Sequence, residues 1–334
     1  MGNFAEREQG QAGIREVTRT LSPIESDIRQ LFFPGQDVKA MPVNQRSSSV
    51  QHIKTPHGDY ISKCLDATPY HKRVLETERE WVDRIGKTRG ITAPEFIPAN
   101  TGEYFPIAPS GDNTIISLMP KLAFEPFELT NYQDYERMGE AIALLHKAAP
   151  EEMHSGIRRF VFSETNPFVE SFWGLLNAEE LSLFKKILTR TDDLDSLPSQ
   201  ITHNDVHPEN LMSYHGTPLF IDFDQMLTGP RINDLGQALS AFWLDESLEG
   251  FELAMQSLIK GYNAVSPLSQ KEIYALPMFA LRKACISFTW FKGLLHNGES
   301  EAGEWYRKIL ARAHIIDSYL EKYGYYAKDV SGRS

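Results

Sequence analysis

The sequence predicts an α+β fold in which a small antiparallel-sheet lobe precedes a larger, mostly helical lobe. Two observations predict it. Short β-like runs separated by turn residues crowd the first third of the chain, and long segments with apolar residues at helical spacing fill the remainder. A chain of 334 residues with 41% hydrophobic and 24% charged content can bury a core large enough for both lobes.

In chain order, residues 1–36 are polar apart from one amphipathic piece, PIESDIRQLFF, which reads as a helix leading into the fold. The runs Val50 to Lys54 and Tyr60 to Leu65 flank PHGD, whose Pro and Gly mark a turn, so they read as a hairpin. In HKRVLETEREWVDRIGK, His71 to Lys87, the residues Val74, Trp81, Val82 and Ile85 share one helical face with Glu78. An acid on a buried face needs a partner. Two further strand-like runs, Tyr104 to Ala108 and Thr114 to Met119, meet at SGDN, and Pro120 to Pro126 reads as a connector. Beyond it, Tyr135, Met138, Ile142 and Leu145 form one stripe of a helix over Tyr132 to Ala148, and long helical patterns cover Asp234 to Asn263 and Gln270 to His296. The expected division is therefore a sheet lobe over 37–119, a hinge over 120–126 and a helical lobe over 127–334.

Composition excludes several classes. No run approaches the roughly 18 consecutive apolar residues of a membrane helix, and MGNFAEREQGQ has no signal-peptide core, so no membrane association is expected. Glu6 stands where a myristoylation motif requires Ser or Thr. With only Cys64 and Cys285, the chain has no disulfide framework and suits a reducing, cytoplasmic setting. A net charge of -11 argues against nucleic-acid binding and leaves room for a cationic substrate.

The stretch ITHNDVHPENLM, Ile201 to Met212, reads as a metal site, a catalytic loop or a polar turn. His203 and His207 have the spacing of helical zinc ligands, but Asn204 stands where such a motif needs glutamate and Pro208 disfavours a helix there. Downstream, LMSYHGTPLFIDF forms two strand-like runs about the loop His215-Gly216-Thr217. A hairpin centred on Gly216 sets Tyr214 opposite Pro218 and Asn210 opposite Asp222. Opposed Cβ atoms lie roughly 4.5–5.5 Å apart, so this register lets an amide oxygen and a carboxylate bracket one hard cation. Mg²⁺ fits, since it takes a few such oxygens together with substrate phosphates.

The spacing His203-x-Asp205-x-x-x-x-Asn210 matches the loop of protein kinases in which Asp accepts the substrate hydroxyl proton and Asn holds a metal. Asp222 then stands at the Asp of D-F-G. Lys63, in the strand Tyr60-Ile61-Ser62-Lys63, supplies the cation such chemistry needs, with Glu78 as its partner acid. Together with FIDFDQMLTGPRINDLGQAL, MGEAIALLHK and IKGYNAVSPLSQKEI, these residues span the chain from about residue 37 onward. On them the sequence resembles the aminoglycoside/choline kinase-like phosphotransferases, which share a two-lobed protein-kinase-like fold.

The resemblance implies Asp205 as catalytic base, Asn210 and Asp222 as Mg²⁺ ligands, and Lys63, held by Glu78, on the phosphates of ATP. It also implies that Pro120 to Leu122 line the adenine, with Leu122 as a nucleotide contact, and that Asp234 braces the loop. His203 is expected to be structural. The sequence departs from many kinases at Val43 to Val50, where VNQRSSSV replaces a glycine-rich loop, so phosphate cradling falls to Ser47, Ser48 and Ser49. Only 11 residues run from Phe223 to Asn233 without an A-P-E sequence, which favours a small-molecule acceptor over a peptide. The expected activity is ATP- and Mg²⁺-dependent phosphorylation of a hydroxyl on an amino alcohol, aminoglycoside, homoserine or sugar-like molecule. A protein Ser/Thr kinase and a catalytically silent nucleotide-binding regulator are the competing readings. The acids Asp245, Glu246 and Glu249 read as a solvated helix end rather than a substrate contact.

Overall fold

The computed structural model of the protein describes residues 21–44, 47–111, 113–151, 157–162, 167–188, 194 and 197–326. These residues divide into two units, one reaching to Leu75 and including Pro94–Leu122, the other comprising Glu76–Ala93 and the chain from Ala123 onward.

In the first unit, helix α1 (Leu21–Phe32) presents Ile24, Ile28 and Leu31 at helical spacing to a sheet. That sheet is an antiparallel meander of β1 (Lys39–Asn44), β2 (Ser47–Thr55), β3 (Gly58–Asp66) and β4 (Thr114–Pro120) in sequential order, with α2 (Pro69–Ile85) following β3. Ile53, Ile116 and Leu118 join Val38 and Ala40 in its core. Lys63 pairs with Val50 on one side and Ser117 on the other. It alternates with Cys64, which packs on that core, so Lys63 lies on the opposite sheet face. The expected strand over Tyr104 to Ala108 is not formed. A single bridge, Ile107 to Ile115, is all that pairs there, because Pro106 has no N–H to extend a ladder and Pro109 follows at once.

The second unit contains β5 (Glu125–Pro126), α3 (Tyr132–Ala148), α4 (Pro167–Glu170), α5 (Ala178–Leu188), β6 (Ser199–Thr202), β7 (Leu211–Tyr214), β8 (Thr217–Phe220) and β9 (Leu227–Pro230). Helices α6 (Ile232–Ala241), α7 (Leu248–Val265), α8 (Gln270–His296) and α9 (Ala302–Lys322) complete it. The helical pattern from Asp234 to Asn263 is divided between two helices, α6 and α7. Phe242 leaves the helical region at ψ 120° and Ser247 caps α7 by accepting from Gly250 N at 2.9 Å.

The observed division also differs from the expected one in that residues 76–93 group with the second unit. Trp81, fully buried, donates to Leu145 O at 3.0 Å and meets Phe223 edge-on at 5.1 Å, while Thr92 bonds to Pro218 and Phe220 beside β8. No helix of the described residues is long and apolar enough to cross a membrane. Cys64 and Cys285 are free thiols.

Helices α3 and α7 cross where each carries a glycine. A Cβ on Gly139 would lie 2.8 Å from Tyr262 N, and one on Gly261 would overlap Glu136 O. Gly→Ala within a helix ordinarily stabilises by about 1 kcal/mol. At Gly261 the sign reverses: Gly261→Ala is expected to cost about 1–3 kcal/mol through overpacking, read as a lower midpoint in urea denaturation.

Candidate active site

The hairpin that carries the predicted metal ligands has a different register from the one expected. Its turn is the two-residue His215-Gly216, with φ of 49° and 78°, the left-handed pair that matches strand twist. Leu211 pairs with Phe220 and Tyr214 with Thr217, one residue away from the three-residue loop the sequence suggested. Asn210 is therefore opposite Ile221, whose N–H donates to Asn210 O at 3.0 Å, and not opposite Asp222. Asp222 leaves the strand with φ 62° and ψ 72°, so strand alternation no longer sets the direction of its side chain.

The 203–210 loop is held from behind by α6. Asp234, in the first turn of α6, accepts from His203 N and Asn204 N at 2.8 Å each and from His146 Nε2 at 2.9 Å. Asp234 thus braces the loop, as the resemblance implied, while Arg231 precedes α6 with no side-chain cap. His146 Nδ1 in turn meets the Tyr262 hydroxyl at 2.8 Å, whose pKa burial pushes up, keeping it a neutral donor. One turn along α6, Gln237 accepts from Val206 N at 2.9 Å and donates to Asn204 O at 2.8 Å. Asn233 Nδ2 donates to Asn204 Oδ1 at 2.9 Å. These contacts hold Asn204 at φ 60°, a conformation asparagine tolerates better than most residues. Residues 233, 234 and 237 lie on one face of α6, which is why a single helix can serve successive loop groups.

His203 has the structural role expected of it. Its Nε2 donates to Ile221 O at 3.0 Å and its ring packs 4.7 Å from Phe223. Burial lowers its pKa despite the nearby carboxylates of Asp234, Asp205 and Asp222, so the ring is neutral at pH 7. Among the described residues no three or more His, Cys, Asp and Glu side chains are grouped to hold a metal ion, and His203 is turned to Ile221 O, which counts against the zinc reading.

Asp205 and Asn210 are brought together. Asn210 Nδ2 donates to Asp205 Oδ2 and to Asp205 O, each at 3.1 Å. Because a carboxylate only accepts, the amide orientation is fixed and Asn210 Oδ1 points away from Asp205. Among the described residues Oδ1 has no hydrogen-bond partner, which suits a metal-facing oxygen. Two residues outside the expected set complete the surroundings of Asp205: Lys283 Nζ of α8 stands 3.0 Å from Oδ1, and His207 Nε2 stands 3.3 Å from Oδ2. Glu209 N donates to His207 Nδ1 at 3.2 Å, which leaves Nε2 as the ring nitrogen that can donate towards Asp205. Burial would raise the Asp205 pKa, but the Lys283 cation and His207 outweigh it and hold the carboxyl well below the usual carboxylate range.

The other predicted residues are distributed between the units. Lys63, on β3, is buried in the first unit, and Glu78, on α2, is buried in the second. Leu122, half-buried, is the last residue of the first unit. Ser47, Ser48 and Ser49 open β2, with Asn44 paired to Ser47. Gln45 and Arg46, and the side chains of Ser47 and Ser48, lie outside the described residues. Glu246, expected to be solvated, accepts from Arg312 Nε and Nη2 at 3.2 and 3.1 Å. Asn233 and Gln237 carried a signal in their spacing on a helix that begins beside Asp234. Lys283 carried none, since its partner is 78 residues away.

Residues 39–267 match the Phosphotransferase enzyme family. The chain is 27% identical over 246 residues to a homoserine kinase of Granulibacter bethesdensis, covering 68% of this chain and 71% of that one. It is 23% identical over 257 residues to the serine/threonine protein kinase RdoA of Salmonella typhimurium, covering 68% of this chain and 74% of that one. The solved structure of a microcompartment-associated aminopropanol kinase superposes with a TM-score of 0.69 at 16% identity, covering 91% of this chain and 98% of that one. That likeness shows a fold shared with small-molecule phosphotransferases.

Replacing Asp234 by asparagine sets an NH₂ against one of three donors in a dry site. Asp234→Asn is expected to cost about 1–3 kcal/mol in chemical denaturation, with the 203–210 loop amides losing hydrogen-exchange protection before the rest of the unit.

Proposed function

We propose, because the chain belongs to the Phosphotransferase enzyme family, that it transfers the γ-phosphoryl group of ATP to a hydroxyl of a small molecule with Asp205 as the base. The observation that carries this reading is the state of Asp205: an ionised carboxylate on a loop pinned by Asp234 and Gln237, bonded to Asn210 and flanked by Lys283. Phosphoryl transfer needs positioning and charge neutralisation more than covalent chemistry, and these residues are arranged for that. Asp205 orients the acceptor hydroxyl and receives its proton as the O–P bond forms. A base with a depressed pKa suits a loose transition state, in which the hydroxyl loses its proton late.

Asn210 and Asp222 are the proposed Mg²⁺ ligands, and the ion, when bound, neutralises charge on the β- and γ-phosphates. The free Oδ1 of Asn210 supports this, and the left-handed backbone at Asp222 frees its carboxylate from strand direction. Lys63 is proposed for the α- and β-phosphates, with Glu78 as its partner acid. Ser47 to Ser49 and Leu122 are proposed as nucleotide contacts. Homoserine and amino alcohols are candidate acceptors by likeness to the relatives' names, alongside aminoglycosides and sugar-like alcohols.

A protein Ser/Thr kinase is the second reading, favoured by the Salmonella relative. Against it, Phe223 to Asn233 is taken up by a 3₁₀ turn, β9 and the start of α6, so that stretch holds no free segment of the kind on which protein kinases dock peptides. A silent nucleotide binder would have no chemical need for the ionised Asp205.

ADP release over a panel of alcohols tests the reading. Asp205→Asn is expected to lower kcat by about 10²–10⁴-fold while ATP still binds, and wild-type turnover in that variant refutes the mechanism. Chelation of divalent ions is expected to abolish activity, with Mg²⁺ restoring it. With labelled ATP, transfer to protein bands beyond autophosphorylation would instead favour the second reading.

A further inference from the structure

The two oxygens of Asp205 are not equivalent. Asn210 Nδ2 and His207 Nε2 both address Oδ2, at 3.1 and 3.3 Å, and so occupy the oxygen nearer the proposed metal ligand. Oδ1 meets only Lys283 Nζ, at 3.0 Å, among the described residues. A carboxylate oxygen accepts two donors, so the open lone pair for an incoming hydroxyl is on the oxygen that Lys283 already holds.

Helix packing fixes the cation there. Helices α6 and α8 approach at Gly236, where a Cβ would lie 2.6 Å from Phe279 Cβ, and Lys283 stands one turn beyond Phe279 on α8. Its side chain is 20% exposed, and Asp205 is its one hydrogen-bond or ion-pair partner among the described residues. An ammonium has three N–H donors, so two remain unused. A hydroxyl oxygen within hydrogen-bond reach of Oδ1, about 2.7 Å, lies within about 6 Å of Nζ. At that range a cationic acceptor group meets a like charge, whereas a carboxylate meets a partner with donors to spare. The net charge of -11, which left room for a cationic substrate, is spread over the chain and screened beyond about 8–10 Å. The local cation decides.

Resting on the phosphotransfer reading above, we propose that Lys283 is a specificity-determining residue: the alcohol that Asp205 activates carries a carboxylate close to its hydroxyl. Lys283 binds that carboxylate with the N–H donors Asp205 leaves free, and so aligns the hydroxyl on Oδ1.

The test uses the full-length protein with ATP and Mg²⁺, an ADP-release assay and three acceptors of matched length: 4-hydroxybutanoate, 4-hydroxybutanamide and 4-aminobutan-1-ol. The hydroxy acid is expected to exceed both others in kcat/KM by at least about 10-fold. Lys283→Met is expected to erase that ratio by raising the KM of the hydroxy acid more than those of the other two, on top of a kcat loss common to all three, and Lys283→Arg to retain most of it. Equal use of the three, preference for the amine, or a Lys283→Met variant that loses kcat on all three with the ratio intact overturns the proposal. Calorimetric binding of the same probes, with a non-hydrolysable ATP analogue present, reads the charge preference without turnover. Tighter binding of the hydroxy acid supports the proposal and its absence overturns it, and the wild-type comparison stands even if Lys283→Met fails to fold. No ADP release with any alcohol in a broad panel refutes the phosphotransfer reading itself, whereas turnover with the wrong charge preference refutes only the role of Lys283.

Discussion

The Asp234 carboxylate accepts from two consecutive backbone N–H groups of the 203–210 loop and from His146 of α3, and it does so with no exposure to solvent. The loop cannot satisfy those amides in any ladder, because it turns through a left-handed Asn204 between β6 and β7. Buried backbone donors without partners are costly, so the loop conformation and the acid stand or fall together. From this one group the order spreads outward. His146 is bonded on its other nitrogen by Tyr262 of α7, and α3 and α7 meet through Gly139 and Gly261. The rigidity of the loop is thus inherited from helix packing rather than from the loop's own sequence.

Asp205 is the beneficiary. A buried carboxylate ordinarily drifts towards its neutral form, and a neutral acid could not receive a proton. Lys283, His207 and Asn210 reverse that tendency by standing against its two oxygens. The same arrangement limits what can approach, since the cation that keeps Asp205 ionised also colours the charge of the space beside it. In the proposed reaction, base strength and acceptor choice are coupled through one lysine.

The elements whose partners are near in sequence were legible. The helix over Tyr132–Ala148, the helix over Gln270–His296 and the hairpin of β2 and β3 follow from apolar period and turn residues alone. The spacing from His203 to Asn210 likewise singled out Asp205 and Asn210, and the structure adds that the two are bonded to one another. The errors share a cause. A turn of two residues and one of three read alike around His215-Gly216, and only the paired strands reveal which is made. The strand expected at Tyr104 to Ala108 had the right apolar residues but a proline where its ladder needed a donor.

The sequence by itself determined the α+β order of elements and the local chemistry of the 203–234 stretch, because those depend on residues within a turn or a hairpin of one another. It also determined the family, through motifs that are short and contiguous. Only the tertiary structure decided which groups surround Asp205, for Lys283 arrives from 78 residues away on a helix positioned by the contact of Gly236 with Phe279. A hydrogen-bond partner across that distance is chosen by packing, to which sequence spacing carries no guide. The tertiary structure likewise supplied the particular partners of Asp234, since its backbone sits in α6 while they belong to the 203–210 loop and α3.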